Sequence, residues 1–599
     1  MPNYTNLHFL RFLLFEVHPV KELFSYPRFA HLDEEQAWML IESAKKFADQ
    51  EMAPYYKEMD ETPVRYDGKG NVLTHACLKR IIPIAAEQGW IGSTADFEHG
   101  GMQLPEMING TAHHIFQAAN NGVEGYIGLS SGAAGLITSF GSAAQIKKYV
   151  PPIFAGKWQG TMALTEPQAG SSLTDITTSA KHIEGDQYAI RGQKIFISGG
   201  QHEACENFIH LTLARIEGAP AGTKGISLFI IPKFRITESG SFEYNDVYCA
   251  GDFQKMGQKG YATTHLVFGD HNNCIGYLVG EPHKGLSYMF QMMNGARISV
   301  GLSAASVTMA AYQASLQYCK ERPQGRLITE KNPLQPPTLI INHPDVQRML
   351  FTQKAIAEGS LSLGMECNRL YDLVHAGEGD EKHNNWLLLE ILTPIVKTYS
   401  AEQGSRAAAL AIQTLGGYGF TTDFPVQQHY RDLKIMSLYE GTTGIQALDL
   451  LGRKVTMENG KALQILSSAI QSTIQEGITI PATTNCANQL ANSLVEIQKV
   501  LAKLLPLATE GKIDLLLADA TVFLEMVSYT VIGWQWLKMG IIAANQLNNA
   551  QQEKRSFYEG KLHTMEFYFT YEMPHIAACT KTLLTMSGLT SVKDYELFA

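Results

Sequence analysis

Asn207-Phe-Ile-His-Leu-Thr-Leu213 and Gly225-Ile-Ser-Leu-Phe-Ile-Ile231 carry the β-branched and aromatic residues of strands. Tyr188-Ala-Ile-Arg-Gly192, Lys194-Ile-Phe-Ile-Ser198 and Thr264-His-Leu-Val-Phe268 repeat that texture at close intervals, with glycine-containing turns between them. The spacing leaves no room for crossover helices, so a parallel α/β sheet is not expected. A small β barrel or sandwich over residues 160–283 is.

On either side the period changes from two to that of a helix. From Asp33, apolar residues fall at Ala37, Leu40, Ile41, Ala44, Phe47 and Ala48, one helical stripe. Asp33 with Gln36 three residues on reads as a capping box, and Pro54 closes the segment. Residues 74–150 read as further helix, with breaks near Gly89, Gly100–Gly101 and Gly122. Beyond the β block, Ala-, Leu- and Met-rich helices are expected near 285–320, 344–377, 385–415 and 442–457. The Gly/Pro/Gln-rich stretch 322–344 is expected to be a loop. A second bundle begins near 460, where Leu490, Leu494, Ile497, Leu501 and Leu504 share one face. Burial in the core is the first expectation for that face, ahead of a partner surface.

The expected fold is mainly α with a central β domain. Its segments are an N-terminal helical domain (1–159), a β barrel (160–283), a helical bundle (284–457) and a C-terminal helical extension (458–599). Four units suit 599 residues at roughly 150 residues per domain. With 45% hydrophobic and 18% charged residues, the chain has the balance of a globular protein. Forty-eight basic against 58 acidic residues leave a net charge of −10, which does not suit a nucleic-acid binder. Eight single cysteines without a CxxC pair suit buried thiols in a reducing compartment, not zinc or disulfides. The apolar run Leu7–Val17 is interrupted by Arg11 and Glu16 and lacks the flanks of a signal peptide. Met526–Leu537 falls short of the roughly 20 residues a bilayer requires and reads as a buried helix.

Common chemical signatures are missing: GxGxxG after a strand, GxxxxGK[ST] and HExxH. No metal site is expected. Four other segments stand in order along the chain. They are Met162-Ala-Leu-Thr-Glu-Pro-Gln-Ala-Gly-Ser-Ser172, Gln193-Lys-Ile-Phe-Ile-Ser-Gly-Gly200, Gln413-Thr-Leu-Gly-Gly-Tyr-Gly-Phe420 and Ser437-Leu-Tyr-Glu-Gly-Thr-Thr-Gly-Ile-Gln446. Together, in this order and on these blocks, they resemble the signature segments of acyl-CoA dehydrogenases. The resemblance covers essentially the whole chain. The family core would end near Lys454, and the remainder resembles the extension of longer members, of very-long-chain and methylmercaptopropionyl-CoA dehydrogenase-like bacterial type.

The resemblance implies the acyl-CoA dehydrogenase fold with a four-helix bundle as its third domain, and FAD-dependent α,β-dehydrogenation of an acyl-CoA thioester. Glu440 stands at the family's base position and would take the Cα proton while hydride leaves Cβ. Its backbone N–H would donate to the thioester carbonyl. Some relatives carry the base just before the arginine of Asn294-Gly-Ala-Arg297; Gly295 and Ala296 cannot serve here.

For FAD, the resemblance implies Leu164, Thr165, Gly170, Ser171, Phe196, Ser198, Arg322, Gln413, Gly416, Gly417 and Thr442. The Gln413–Gly417 stretch would reach the dinucleotide of a neighbouring subunit. For the thioester ligand it implies Ser171, Asn294, Arg297, Tyr439 and Gly441. It further implies electron-transfer flavoprotein as acceptor, a homodimer, and a cytoplasmic protein at most peripheral to a membrane. Two alternatives share these residues: an acyl-CoA oxidase, which would make peroxide, and a non-catalytic flavoprotein scaffold, which would have no use for Glu440.

Overall fold

A computed structural model describes residues 3–237, 239–547 and 552–599. It divides into two compact units, Met39–Ala296 and Met1–Trp38 together with Arg297–Ala599.

The capping box forms as the sequence requires: Gln36 N–H donates to Asp33 Oδ1 (2.8 Å) and Asp33 N–H to Gln36 Oε1 (3.0 Å). They open helix α1 (Glu34–Phe47). In the first unit follow α2 (Leu78–Glu87), α3 (Glu106–Phe140) and α4 (Ala143–Phe154). Helix α3 is broken at Asn120 (φ −164°, ψ 91°), whose Oδ1 accepts the N–H groups of Gly122 and Val123. The break expected at Gly122 is thus made two residues earlier, by an asparagine that recaps the helix.

Among the described residues, the main sheet of the β block has eight strands: β1 (Trp158–Ala163), β2 (Ser179–Glu184), β3 (Gln187–Ser198), β4 (Asn207–Ile216), β5 (Ile226–Pro232), β6 (Val247–Asp252), β7 (Thr263–Phe268) and β8 (Ile275–Leu278). Strand β3 pairs with β8, β8 with β5, β5 with β4, β4 with β2, and β2 again with β3, so five strands close a ring. All of β5 is buried. The far half of β3, from Gly192 to Ser198, leaves the ring and pairs with β7, which pairs with β6. Most pairings are antiparallel, but β1 and β2 run parallel to β4.

In the second unit, α5 (Gly285–Glu321, from Arg297 on), α6 (Pro344–Ala376) and α7 (Gly379–Leu415) are the long bundle helices. The fourth is split into α8 (Val426–Lys434) and α9 (Thr443–Asp449). Val300, Ala304, Val307, Ala401, Leu433 and Met436 form one core cluster between α5, α7 and the chain just after α8. The extension follows as α10 (Lys461–Ile478), α11 (Thr484–Leu504), α12 (Ala520–Leu547), α13 (Gln552–Tyr571) and α14 (His575–Thr585). Leu490, Leu494, Ile497, Leu501 and Leu504 are all buried. Every residue from Met526 to Leu537 is buried, so α12 is the central helix of the extension. Among the described residues no helix is long and apolar enough to cross a membrane.

The run Leu7–Val17 belongs to this second unit. Phe12 packs its ring on Phe557 (5.4 Å) and Tyr558 (6.1 Å) of α13, and Tyr558 Oη donates to Glu16 (2.9 Å). All eight cysteines are free and all but Cys205 are buried.

Candidate active site

Between α8 and α9 the chain makes a turn that carries Glu440. Tyr439 is half-buried against the Val300 cluster. Glu440 (φ 53°) and Gly441 (φ 87°) then take consecutive left-handed conformations, which cost a non-glycine residue about 1–3 kcal/mol. Thr442 caps α9, its Oγ1 accepting Ile445 N–H at 3.4 Å. The turn is held from below. Gln446 Nε2 donates to the carbonyls of Glu440 (3.0 Å) and Gly441 (3.3 Å), and Lys397 Nζ donates to Gly441 O (2.7 Å).

The Glu440 side chain is half-buried, and among the described residues no donor engages its carboxylate. The backbone N–H groups of Glu440 and Gly441 likewise donate to no described residue. Burial raises the Glu440 carboxyl above its ordinary range, and the charges of Arg297 and Lys397 pull it back only in part. Arg297 is itself buried and donates to Asp449 Oδ2 (3.0 Å), while Asp449 Oδ1 accepts from Arg453 Nε (2.7 Å). Lys397 is fully buried in α7, and burial pushes its ammonium down to about 8 despite Glu402 and Glu440 nearby.

A second cluster lies along a cavity of about 750 Å³ in the same unit. Arg322, Gln413, Gly416 and Gly417 line it together with Tyr418, over whose ring the Arg322 guanidinium sits at 5.6 Å. A Cβ added at Gly416 or Gly417 meets nothing within 4 Å, so this backbone faces open space. Four residues expected to meet FAD are therefore brought together. Thr442 is not among those lining this cavity; it stays with Glu440.

The remaining expected residues sit in the β unit. Leu164, Thr165, Gly170 and Ser171 belong to the segment that leaves β1, and Phe196 and Ser198 to the far half of β3. Ile195 N–H donates to Thr165 O (2.9 Å), which ties the two segments side by side. Phe196 is 55% exposed, adopts φ 57° and packs on Phe253 at 4.4 Å. The hydroxyls of Thr165, Ser171 and Ser198 have no partner among the described residues. The segment is anchored by Glu166. Its carboxylate accepts from Lys194 Nζ (2.7 Å), Thr177 N–H (2.7 Å) and Thr178 N–H (3.0 Å). Burial would raise this carboxyl, but Lys194 and the hydrogen bonds outweigh it and hold it at about 2. Asn294 is half-buried on α5.

Four family models match successive segments of the chain between residues 33 and 590. The acyl-CoA dehydrogenase N-terminal domain matches residues 33–157, the middle domain 161–271, and the C-terminal domain 283–455. An acetyl-CoA dehydrogenase C-terminal-like model matches residues 466–590. The chain is 34% identical over 544 residues to the 3-methylmercaptopropionyl-CoA dehydrogenase of Ruegeria pomeroyi, covering 90% of this chain and 91% of that protein. The chain belongs to the acyl-CoA dehydrogenase family. It is also 34% identical over 591 residues to the broad-specificity linear acyl-CoA dehydrogenase FadE5 of Mycobacterium tuberculosis, covering 96% of each chain. In fold it is similar to an acyl-CoA dehydrogenase complexed with FAD from Bacillus anthracis. That likeness has a TM-score of 0.75 at 20% identity over 98% of this chain and 93% of that one.

Within this acyl-CoA dehydrogenase architecture, Lys397, Gln446, Asp449, Glu166 and Lys194 support the candidate site without having been singled out from sequence. Gln446, Glu166 and Lys194 stand inside the quoted segments, where a buried role leaves no local signature. Lys397 stands between Val396 and Thr398 in a helix buried on all sides, and a lysine inside such an apolar run was the available signal.

Proposed function

We propose that the protein is an FAD-dependent acyl-CoA dehydrogenase that converts an acyl-CoA thioester to the trans-2-enoyl-CoA with Glu440 as base. The observation that carries this reading is the Glu440 turn: a half-buried carboxylate that meets no donor among the described residues, on a backbone whose N–H groups donate to none of them. Such a carboxylate accepts a carbon-bound proton without first breaking a protein hydrogen bond. The Glu440 N–H supplies a fixed donor for the thioester oxygen, where negative charge develops as the proton leaves. Arg297 and Lys397 act against the burial that raises the Glu440 carboxyl and so favour its ionised form.

The residues present fit FAD. A cavity of about 750 Å³ that places an exposed guanidinium beside a bare glycine pair suits a pyrophosphate and its flanking groups. Arg322, Gln413, Gly416 and Gly417 would hold that part. Leu164, Thr165, Gly170, Ser171, Phe196 and Ser198 would meet the rest, with the unpartnered hydroxyls of Thr165 and Ser198 as hydrogen-bonding groups. FAD, when bound, supplies the acceptor for the hydride from Cβ. Ser171, Asn294, Tyr439 and Gly441 would contact the thioester ligand, and Arg297, committed to Asp449, acts on it through Glu440.

The relatives' names support an acyl-CoA substrate. We further propose electron-transfer flavoprotein as acceptor, a homodimer in which the Arg322 cavity serves the neighbouring subunit's FAD, and a cytoplasmic location with membrane contact at most peripheral. The four segments 1–159, 160–283, 284–457 and 458–599 remain the proposed functional division, with residues 3–38 folding in the same unit as the extension.

Anaerobic titration of FAD-loaded protein with straight-chain, branched and thioether acyl-CoAs tests this function. Bleaching of the flavin by one class is the expected result. No bleaching by any thioester would overturn it and favour a scaffold. Peroxide formed stoichiometrically in air would replace the dehydrogenase with an oxidase.

A further inference from the structure

A lysine with no exposed surface is costly. Removing an ammonium from water carries an effective penalty of several kcal/mol unless a paired anion offsets it. Lys397 has no such pair: no carboxylate of a described residue lies within 4.0 Å of its Nζ. Among the described residues its one hydrogen bond goes to the Gly441 carbonyl at 2.7 Å. Packing alone would be better served by leucine or methionine at this position of α7.

The same turn has a second clamp. Gln446, also fully buried, directs Nε2 at the carbonyls of both Glu440 and Gly441 while its Oε1 has no partner among the described residues. Two buried side chains from different elements thus place donors on the two consecutive carbonyls of a turn whose residues are both left-handed. A Cβ at Gly441 would stand 2.6 Å from Gln446 Nε2, so the glycine and the clamp require each other. With both carbonyls bonded inward, the strained conformation persists and the Glu440 amide is left without a protein acceptor.

We infer that Lys397 and Gln446 are positioning residues for proton abstraction, holding the Glu440–Gly441 turn in the conformation that presents the Glu440 carboxylate and amide together. The groups facing Lys397 are Glu402, Glu440 and Arg297, from α7, the turn and α5, so its cation also stabilises the ionised Glu440. The inference rests on Glu440 being the base, and the test separates the two.

Lys397→Met, Gln446→Leu, Lys397→Arg and Glu440→Gln are prepared as full-length, FAD-loaded proteins. Flavin reduction is followed in single turnovers with the straight-chain acyl-CoA that bleaches the wild type fastest, and enoyl-CoA affinity is measured alongside. Losing a charged hydrogen bond that acts on the reacting geometry is expected to slow reduction per bound flavin about tenfold or more. Ligand affinity should change less than about threefold, and Lys397→Arg should restore part of the rate. Gln446→Leu should follow Lys397→Met. Wild-type rates per bound flavin in both variants would overturn the inference, as would a loss of folding or FAD in both, which would make the pair merely structural. A wild-type rate in Glu440→Gln would instead remove the base assignment on which the inference stands.

Discussion

At the scale of single residues, the candidate site is a balance of charges around one carboxylate. Glu440 is raised by burial and lowered by Arg297 and Lys397. A base acts only when ionised, so kcat/KM should rise with pH through an acid limb lying above the ordinary carboxylate range. Arg297→Met removes a charge that lowers this value, so the limb should move to higher pH; a limb at unchanged or lower pH would contradict the assignment. Glu440 was legible in the sequence because its signature is local: the residues that identify it stand within three positions of it. Lys397 was not, because its partner Gly441 is 44 positions away and nothing in α7 announces that contact. The FAD expectations at Arg322, Gln413, Gly416 and Gly417 name residues that the fold gathers on one cavity.

At the scale of elements, the segment after β1 depends on a charge sealed beneath it. Glu166 and Lys194 are both buried, and Glu166 also gathers the N–H groups of Thr177 and Thr178, closing residues 166–178 into a strap. Breaking such a pair by removing one partner costs about 3–5 kcal/mol, because the other charge stays buried and uncompensated. Lys194→Met should therefore lower the melting temperature and the FAD content, and a Lys194→Met/Glu166→Gln double variant should lose less than the sum of the singles. Additive losses, measured calorimetrically, would show that the pair is not coupled. Strand texture between residues 160 and 283 was plain from composition. Ring closure was not, because it depends on β2 finding β3 and β4 at once. The break in α3 fell at Asn120 and not at Gly122 because a side-chain cap, not a missing Cβ, makes it.

At the scale of the chain, the extension is fastened to the bundle by ion pairs whose carboxylates are buried. Lys561 of α13 meets Glu358 of α6 (2.7 Å), Lys538 of α12 meets Glu366 of α6 (2.9 Å), and Glu572 pairs with Arg406 of α7 through two hydrogen bonds (2.6 and 2.9 Å). His18, from the N-terminal segment, joins Glu366 at 2.9 Å. Burial brings this imidazole down to about 4, so it is neutral at physiological pH. A chain cut after residue 457 would leave Glu358 and Glu366 without their lysines and Arg406 without its carboxylate. It should melt well below the full chain or fail to fold, as read by thermal unfolding; equal stability would show the extension to be an independent appendage. Helical periodicity announced the extension, and its apolar faces were read correctly as core. That residues 3–38 fold with it could not be read, because an amphipathic run says that a face is buried and not what buries it.

The most direct test of the central claim is single-turnover reduction of bound FAD by an acyl-CoA in Glu440→Gln, compared with wild type at matched flavin content. Removing a positioned general base predicts a fall of at least about 100-fold with flavin still bound. Reduction at the wild-type rate would show that another group takes the proton.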